Sequence, residues 1–337
     1  MQTYEFNGIN SFLVGMSDLL LSNYQIRNVR NHICYELPEP VIIKISNPKA
    51  RLVTISPRKW KFSLPYAESL WIGLGRNDMS LIGHYAKKLY EYAENDYMRA
   101  GYGARIRYRN GILNDYKIDK NRISILDKVG VIDQFDFVEK SFQKEKTTRQ
   151  AIITIEDPTK DCFDENGHLK TTKDFPCTVS LQFILSKDNR LNLITHMRSN
   201  DFIWGASGVN IFNFTFIQEY FSYILNIPIG EYYHIVNNFH FYDDFKPMVV
   251  EMAKIKNPID NHFDYSTPTF SNLSEFNEKI KELEKYEEKT RLKLLDSEPY
   301  FNDDFLNDWA KVFYKFNLNK KPKFANPILN QLSYETT

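Results

Sequence analysis

Apolar positions along the chain change period several times, and each change marks an element. From Cys177 to Leu185 they alternate: Cys177, Val179, Leu181, Phe183 and Leu185 fall on one face, and Thr178, Ser180, Gln182 and Ile184 on the other. Leu191 to Arg198 alternates in the same way, and Lys187-Asp188-Asn189 supplies a turn, so the pair predicts a hairpin. Strands are also predicted at Val41–Ser46 and Arg51–Ser56, on either side of the Asn47-Pro48 turn signal. Ile152–Ile155 is a strand-like run after Arg149. Tyr232 to Tyr242 reads as one long strand with His234, Asn238, His240 and Tyr242 on one face.

Other stretches carry the helical period. Glu68-Ser-Leu-Trp-Ile-Gly-Leu-Gly75 precedes a pattern in which Leu81, Ile82, Tyr85, Leu89, Tyr92 and Ala93 recur at helical spacing, predicting a helix from Asn77 to about Tyr97. Residues 211–226 are apolar nearly all round, as in a buried helix. Asn272 to Leu295 has Leu273, Phe276, Ile280 and Leu283 on one face and many Glu and Lys on the other. Asn272 and Glu275 form a capping pattern at its start. The Gly- and Arg-rich run 99–111 reads as a flexible basic loop, and the polar stretch 157–175 as a loop. The expected architecture is one α+β domain over 1–337: a mixed β-sheet flanked by helices, with a core at about 24–245 and a helical C-terminal extension at about 270–337.

Composition adds little to that picture but narrows the function. Apolar residues are 42% of the 337, enough for a sizeable core. Basic and acidic residues number 43 each, and this balance argues against a nonspecific nucleic-acid binder, which gains its affinity from phosphate neutralisation. The apolar stretch Phe12–Leu21 is interrupted by Asp18 and has no basic region before it, so no signal peptide or membrane span is expected. Cys34, Cys162 and Cys177 are too few and too far apart for a disulfide framework, and no Cys-x-x-Cys pair points to a metal. A reduced, cytoplasmic protein is expected.

Cys177 opens a strand behind Pro176, and Arg198 ends the neighbouring strand. A cation beside a thiol lowers its pKa, which makes Cys177 a candidate nucleophile. The plainer alternative is a small buried hydrophobe. The neighbouring motifs bear on that choice. Pro176-Cys177, then Gln182, then RSNDFIWGASGVN from Arg198 to Asn210, then Phe239-His240-Phe241-Tyr242 follow the ordered pattern of thymidylate synthases. From about residue 24 to 245 the sequence resembles that family. It is most similar to the branch of phages and nucleotide-modification pathways, which carries RSNDxxWGxxGxN and NNFHxY.

The resemblance implies a folate-dependent transferase acting on C5 of a pyrimidine nucleoside monophosphate, in the first instance dUMP to dTMP. Cys177 would add to C6 of the base, and 5,10-methylenetetrahydrofolate would be the co-substrate. Glu68 would organise water at O4 and assist proton transfer, where the plain alternative is a carboxylate at a helix start. Arg198 and Ser199 match the phosphate-binding pair. Arg30 matches an early phosphate-binding arginine, with Arg27 as its competitor, and Arg149 one inserted from the partner subunit of a homodimer. The alternative for each arginine is a weak surface pair. Asn210 matches the asparagine that reads the base: an amide can donate to O4 and accept from N3–H of uracil, whereas Asp would suit cytosine. His240 and Tyr242 match the pair that holds the sugar hydroxyl. Gln182 and Tyr102 fall on the substrate side, Trp71 on the folate side, and Asp201 on both.

Several positions depart from the family. Thr178 follows the cysteine where the family has His, and no Trp occurs in Asn95–Arg99. Gln150 stands where the second of two paired arginines would be. One residue is added between Gly205 and Asn210, and the final QLSYETT is unlike the family tail. Each weakens the final reduction more than the nucleophilic step. If hydride does not quench the exocyclic methylene, water can, and the product is then a 5-hydroxymethyl pyrimidine nucleotide. A non-catalytic nucleotide- or RNA-binding relative is a further alternative.

Overall fold

The computed structural model describes residues 2–29, 31–110, 116, 131–266 and 268–335. In chain order its strands are β1 (Gln2–Phe6), β2 (Gln25–Val29), β3 (His32–Glu36), β4 (Val41–Ile45), β5 (Arg109–Asn110) and β6 (Val131–Ile132). They continue with β7 (Ile152–Thr154), β8 (Thr178–Leu185), β9 (Leu191–Met197), β10 (Asn200–Asp201), β11 (Ile229–Val236) and β12 (Phe239–Tyr242). The helices are α1 (Ile9–Ser22), α2 (Ser63–Gly73), α3 (Met79–Tyr85), α4 (Tyr102–Arg107), α5 (Gln134–Lys144) and α6 (Pro158–Asp161). After them come α7 (Ile211–Ile224), α8 (Lys246–Ala253), α9 (Leu273–Arg291), α10 (Asp304–Leu318) and α11 (Pro327–Glu335).

The alternating hairpin forms the middle of a 6-stranded mixed sheet in the order β1-β4-β11-β9-β8-β7. One face buries Ile43, Ile45, Leu181, Phe183, Leu191, Leu193 and Tyr232. The all-round apolar α7 packs on β9 and β11 there, α2 packs on α7, and α9 and α10 pack on α2. Phe216 of α7 meets Tyr66, Phe305 and Trp309 within 5.6 Å between ring centroids. Each such ring stabilises the fold by about 1.5–3 kcal/mol through burial alone. The opposite face carries Ile42, Ile184, Ile194, Tyr233 and Ile235, all only partly buried, and the exposed Ile152. A second sheet, β10-β12-β3-β2, is short. In it β10 runs parallel to β12, so Asn200 lies opposite Phe239 and Asp201 opposite His240.

Four expectations need correction. Residues 51–55 form no strand, because β4 already has β1 on one edge and β11 on the other. Arg51 is instead buried and pairs with Glu219 at 2.6 Å. The helix expected from Asn77 to Tyr97 stops at Tyr85 and gives way to a 3-10 turn, Lys87–Glu91. The returning chain lays Tyr90 over Gly83, where a Cβ would sit 2.7 Å from the ring, so the glycine permits the fold-back. The run 99–110 is no flexible loop: it contains α4, and Arg99, Arg105 and Arg107 are buried. Residue 111 lies outside the described residues. Finally, the long strand over 232–242 is broken. β11 belongs to the large sheet and β12 to the small one, so His234 does not share a face with His240.

Candidate active site

Cys177 sits at the start of β8, just before a register shift between Thr178 and Ser180 that bends the strand end. It is partly exposed. Arg198, at the far end of the hairpin, turns back over it. Its Nε donates to the Pro176 carbonyl at 2.8 Å, and its Nη2 lies 3.8 Å from Cys177 Sγ. The backbone closes the same corner, with Arg198 N–H donating to the Cys177 carbonyl at 2.9 Å. A cation held at this distance favours the thiolate. Cys34 contrasts with it: burial first, then the charges of Glu36 and Asp201, push its thiol up to about 12.

Tyr102, the first residue of α4, brings two further groups to the cysteine. Burial raises its phenol well above the ordinary range, negative charge at Cys177 and Glu68 adds to the rise, and hydrogen bonding to Thr178 opposes it. Glu68 lies on α2, which packs on α7, the helix that carries Asn213. Burial pushes its carboxyl up to about 7, while the Asn213 amide pulls the other way. Such a carboxyl can give or take a proton at neutral pH. Ser69 fixes the helix contact by donating to Asn213 Oδ1 at 2.9 Å.

The chain after Arg198 forms one continuous turn. Asp201 caps a π-helical segment, Phe202–Asn210, by accepting from the backbone N–H of Ile203 at 2.8 Å and of Trp204. Arg58 pins that segment from behind, donating to Ile203 O at 2.7 Å and Ser207 Oγ at 3.0 Å. Burial raises the Asp201 carboxyl and the neighbouring His240 opposes the rise. Asp201 Oδ2 and His240 Nδ1 are buried with no hydrogen-bond partner among the described residues. Orphaned buried polar atoms are costly, and these two make Asp201 and His240 candidates to meet a ligand. His240 and Tyr242 share a strand face with rings 5.3 Å apart. Asn210 is buried, and its Oδ1 accepts from Asn200 Nδ2 at 2.9 Å.

The structure thus brings together Cys177, Arg198, Tyr102 and Glu68, and it sets Asp201 opposite His240 with Tyr242 beside it, Asn210 closing the segment that Asp201 caps. Ser199 stands beside them and donates to Asn238 Oδ1 at 3.4 Å. Two residues point elsewhere. Gln182 lies on the open face of the sheet, donating to the Arg149 carbonyl at 3.0 Å, and Arg149 is exposed at that edge. Trp71 is corrected from a folate-side residue to a packing one: it is 4% exposed, and its indole N–H is given to the Asp78 carbonyl at 2.9 Å. Arg30 lies outside the described residues. Its competitor Arg27 is exposed and paired with Glu36 at 2.9 Å. Sequence reasoning missed Trp204, which is 50% exposed, three residues beyond Asp201, with Lys88 Nζ 4.8 Å from its ring centroid. A Trp inside a glycine-bearing motif was its only signal.

Fold and site together define a class: α+β proteins that present a partly exposed cysteine beside an arginine at the end of a mixed sheet. The chain belongs to the thymidylate synthase family, whose model matches residues 37–295. Among curated proteins it is 31% identical over 214 residues to the deoxyuridylate hydroxymethyltransferase of Bacillus phage SP01, covering 63% of this chain and 52% of that protein. It is 26% identical over 230 residues to the protein of that name from Pseudomonas phage M6, covering 68% and 58%. A third, from Delftia phage PhiW-14, is 25% identical over 237 residues, covering 68% and 56%. The chain spans about half the length of these relatives. Among the described residues no helix is long and apolar enough to cross a membrane.

Proposed function

We propose that this chain transfers a one-carbon unit from 5,10-methylenetetrahydrofolate to C5 of deoxyuridylate, and that the product is the 5-hydroxymethyl nucleotide. The observation that carries the reading is the Cys177 thiol held 3.8 Å from the Arg198 guanidinium, beside Tyr102 and a carboxyl that titrates near neutrality. Cys177 adds to C6, so that C5 becomes nucleophilic. Glu68, through water at O4, stabilises the developing enolate and later helps remove the C5 proton. Arg198 and Ser199 hold the phosphate, His240 and Tyr242 the sugar, and Asn210 the base.

The residues present fit a folate. Asp201 Oδ2 is a buried acceptor without a partner, and Trp204 offers an exposed ring face at the rim of the same turn. The co-substrate, when bound, supplies carbon at the oxidation level of formaldehyde. The relatives' names favour hydroxymethylation, as does the absence of Trp from Asn95–Arg99. In that outcome water adds to the exocyclic methylene, C5 loses a proton, and no dihydrofolate forms. In a methyl outcome hydride from the folate quenches the methylene and dihydrofolate accumulates.

Arg149 is exposed at the edge of a sheet face with Ile42, Ile152, Ile184, Ile194, Tyr233 and Ile235 only partly covered. A second copy of the chain packed on that face would bury them and carry Arg149 to its partner's phosphate site. Sedimentation should give a dimer, and Arg149→Ala should raise KM for the nucleotide. The catalytic reading is tested by tritium release from C5-labelled dUMP with product mass analysis. No release from dUMP, dCMP, UMP or CMP would defeat it.

A further inference from the structure

Behind Asn210 runs a buried chain of hydrogen bonds that no part of the catalytic reading uses. Tyr232 Oη is 2.8 Å from His234 Nδ1, His234 Nε2 is 2.8 Å from Asn200 Oδ1, and Asn200 Nδ2 donates to Asn210 Oδ1 at 2.9 Å. Tyr232 and His234 are fully buried and Asn200 nearly so, and all three stand on sheet strands. The chain packs tightly around it. A Cβ on Gly205 would overlap Asn200 Nδ2 and sit 2.9 Å from Asn210 Oδ1, so only glycine leaves room for this bond.

The links form a sequence with a direction. Burial pushes His234 down to about 3, so its imidazole is neutral and has one N–H. With the phenol as donor, Nδ1 is the acceptor and the proton sits on Nε2, donated to Asn200 Oδ1. Asn200 then has only its NH2 to turn toward Asn210. One lone pair of Asn210 Oδ1 is taken, which fixes that oxygen on the inner side of the amide and leaves Nδ2 free to donate. A site with a free donor beside a second acceptor lone pair suits O4 and N3–H of uracil. Cytosine, with an amino group and a bare N3, presents the opposite pattern.

We infer that Tyr232, His234 and Asn200 act as positioning residues that lock the amide polarity of Asn210 and so make the site select uracil over cytosine. The inference rests on the proposed nucleotide reading but reaches residues outside it. Asn200→Asp reverses the last link, because a carboxylate can only accept: Asn210 must turn its NH2 inward and present its oxygen to the base.

The test has a ligand-free arm and a binding arm. In the unliganded protein, 15N resonances of His234 should show a protonated Nε2 and a bare Nδ1 across pH 6–8, roughly the range in which an ordinary histidine titrates. An Nδ1–H tautomer, or a doubly protonated ring, overturns the polarity. By calorimetry, wild-type protein should prefer dUMP to dCMP, and Asn200→Asp should shift that ratio toward dCMP by at least about tenfold. Tyr232→Phe, which keeps the ring, should fold normally and narrow the preference by about threefold through loss of the tautomer lock. It decides the matter if Asn200→Asp does not fold. An unchanged ratio in variants that still bind dUMP overturns the relay. A wild-type protein that binds neither nucleotide overturns base selection through failure of the functional reading instead.

Discussion

Two arginines of this chain occupy opposite situations. Arg105 is buried and its donors are spent: Nε on the Arg99 carbonyl at 3.2 Å, and Nη1 and Nη2 on Asp161 at 2.7 and 2.8 Å, with Ile155 O at 3.0 Å from Nη1. Arg198 is exposed and leans on two backbone carbonyls while reaching a thiol at 3.8 Å. The same contrast separates their surroundings. Around Arg105 the buried carboxylate is pulled down by its cations, while at the candidate site Glu68 and Asp201 are raised by burial. Charge satisfied inside the chain serves the fold, whereas polar capacity left unspent inside a cleft awaits a ligand.

The largest expected effect would confirm the unspent side. Cys177→Ser should lower turnover by about 10⁴-fold while leaving the Kd for nucleotide within a few-fold, as single-turnover kinetics and calorimetry would show. Retained turnover would remove the thiol from the chemistry. Next is Glu68→Gln, with a loss in kcat of about 10²–10⁴-fold. It carries a stability signature as well. A carboxyl raised from 4.5 to about 7 contributes stability that is full below pH 4.5 and lost as pH rises through 7. Glu68→Gln should therefore match wild type near pH 4 and exceed it at pH 8 by on the order of 3 kcal/mol in chemical denaturation. A variant less stable than wild type at pH 8 would show that the carboxyl is a structural group.

Arg105→Ala sharpens the comparison from the other side. It removes two charge-assisted hydrogen bonds from Asp161, which keeps Arg99 at 2.8 Å as a cation, and should cost about 2–3 kcal/mol. Arg198→Ala should cost under about 0.5 kcal/mol and raise KM instead. Equal losses of stability in the two variants would erase the distinction. The smallest effect belongs to Trp204→Ala. It should leave denaturation midpoints unchanged and raise the folate KM by about three- to tenfold, the worth of one aromatic contact.

Much of the site was legible before the fold. The order Cys177, Arg198-Ser199, Asp201, Asn210, His240 and Tyr242 is a linear pattern, and the structure sets Arg198 beside Cys177, Asp201 opposite His240 and His240 against Tyr242. That Trp71 is enclosed and Trp204 open was not legible, because both stand in motif-bearing segments and exposure is set by distant residues. One proved buried against the Asp78 turn and the other stacked beneath Lys88 at the rim. The buried arginines of 99–107 read as a loop for a related reason. Their partners, Asp133 and Asp161, lie 26 and 56 residues away, and no local window contains both ends of the pair.

The sequence by itself determined what depends on neighbours along the chain: the alternation that makes the β8–β9 hairpin, the all-apolar run of α7, and the capped amphipathic α9. Tertiary structure alone decided what depends on groups far apart in sequence becoming one dielectric environment. It broke the strand at 237–238 between two sheets and raised the Glu68 carboxyl by burying it. It also set His234 behind Asn200, 34 positions apart, so that a hydrogen-bond relay ends on Asn210. Periodicity is a property of covalent geometry and survives in a string of letters. Desolvation and hydrogen-bond polarity arise only when the chain closes around them.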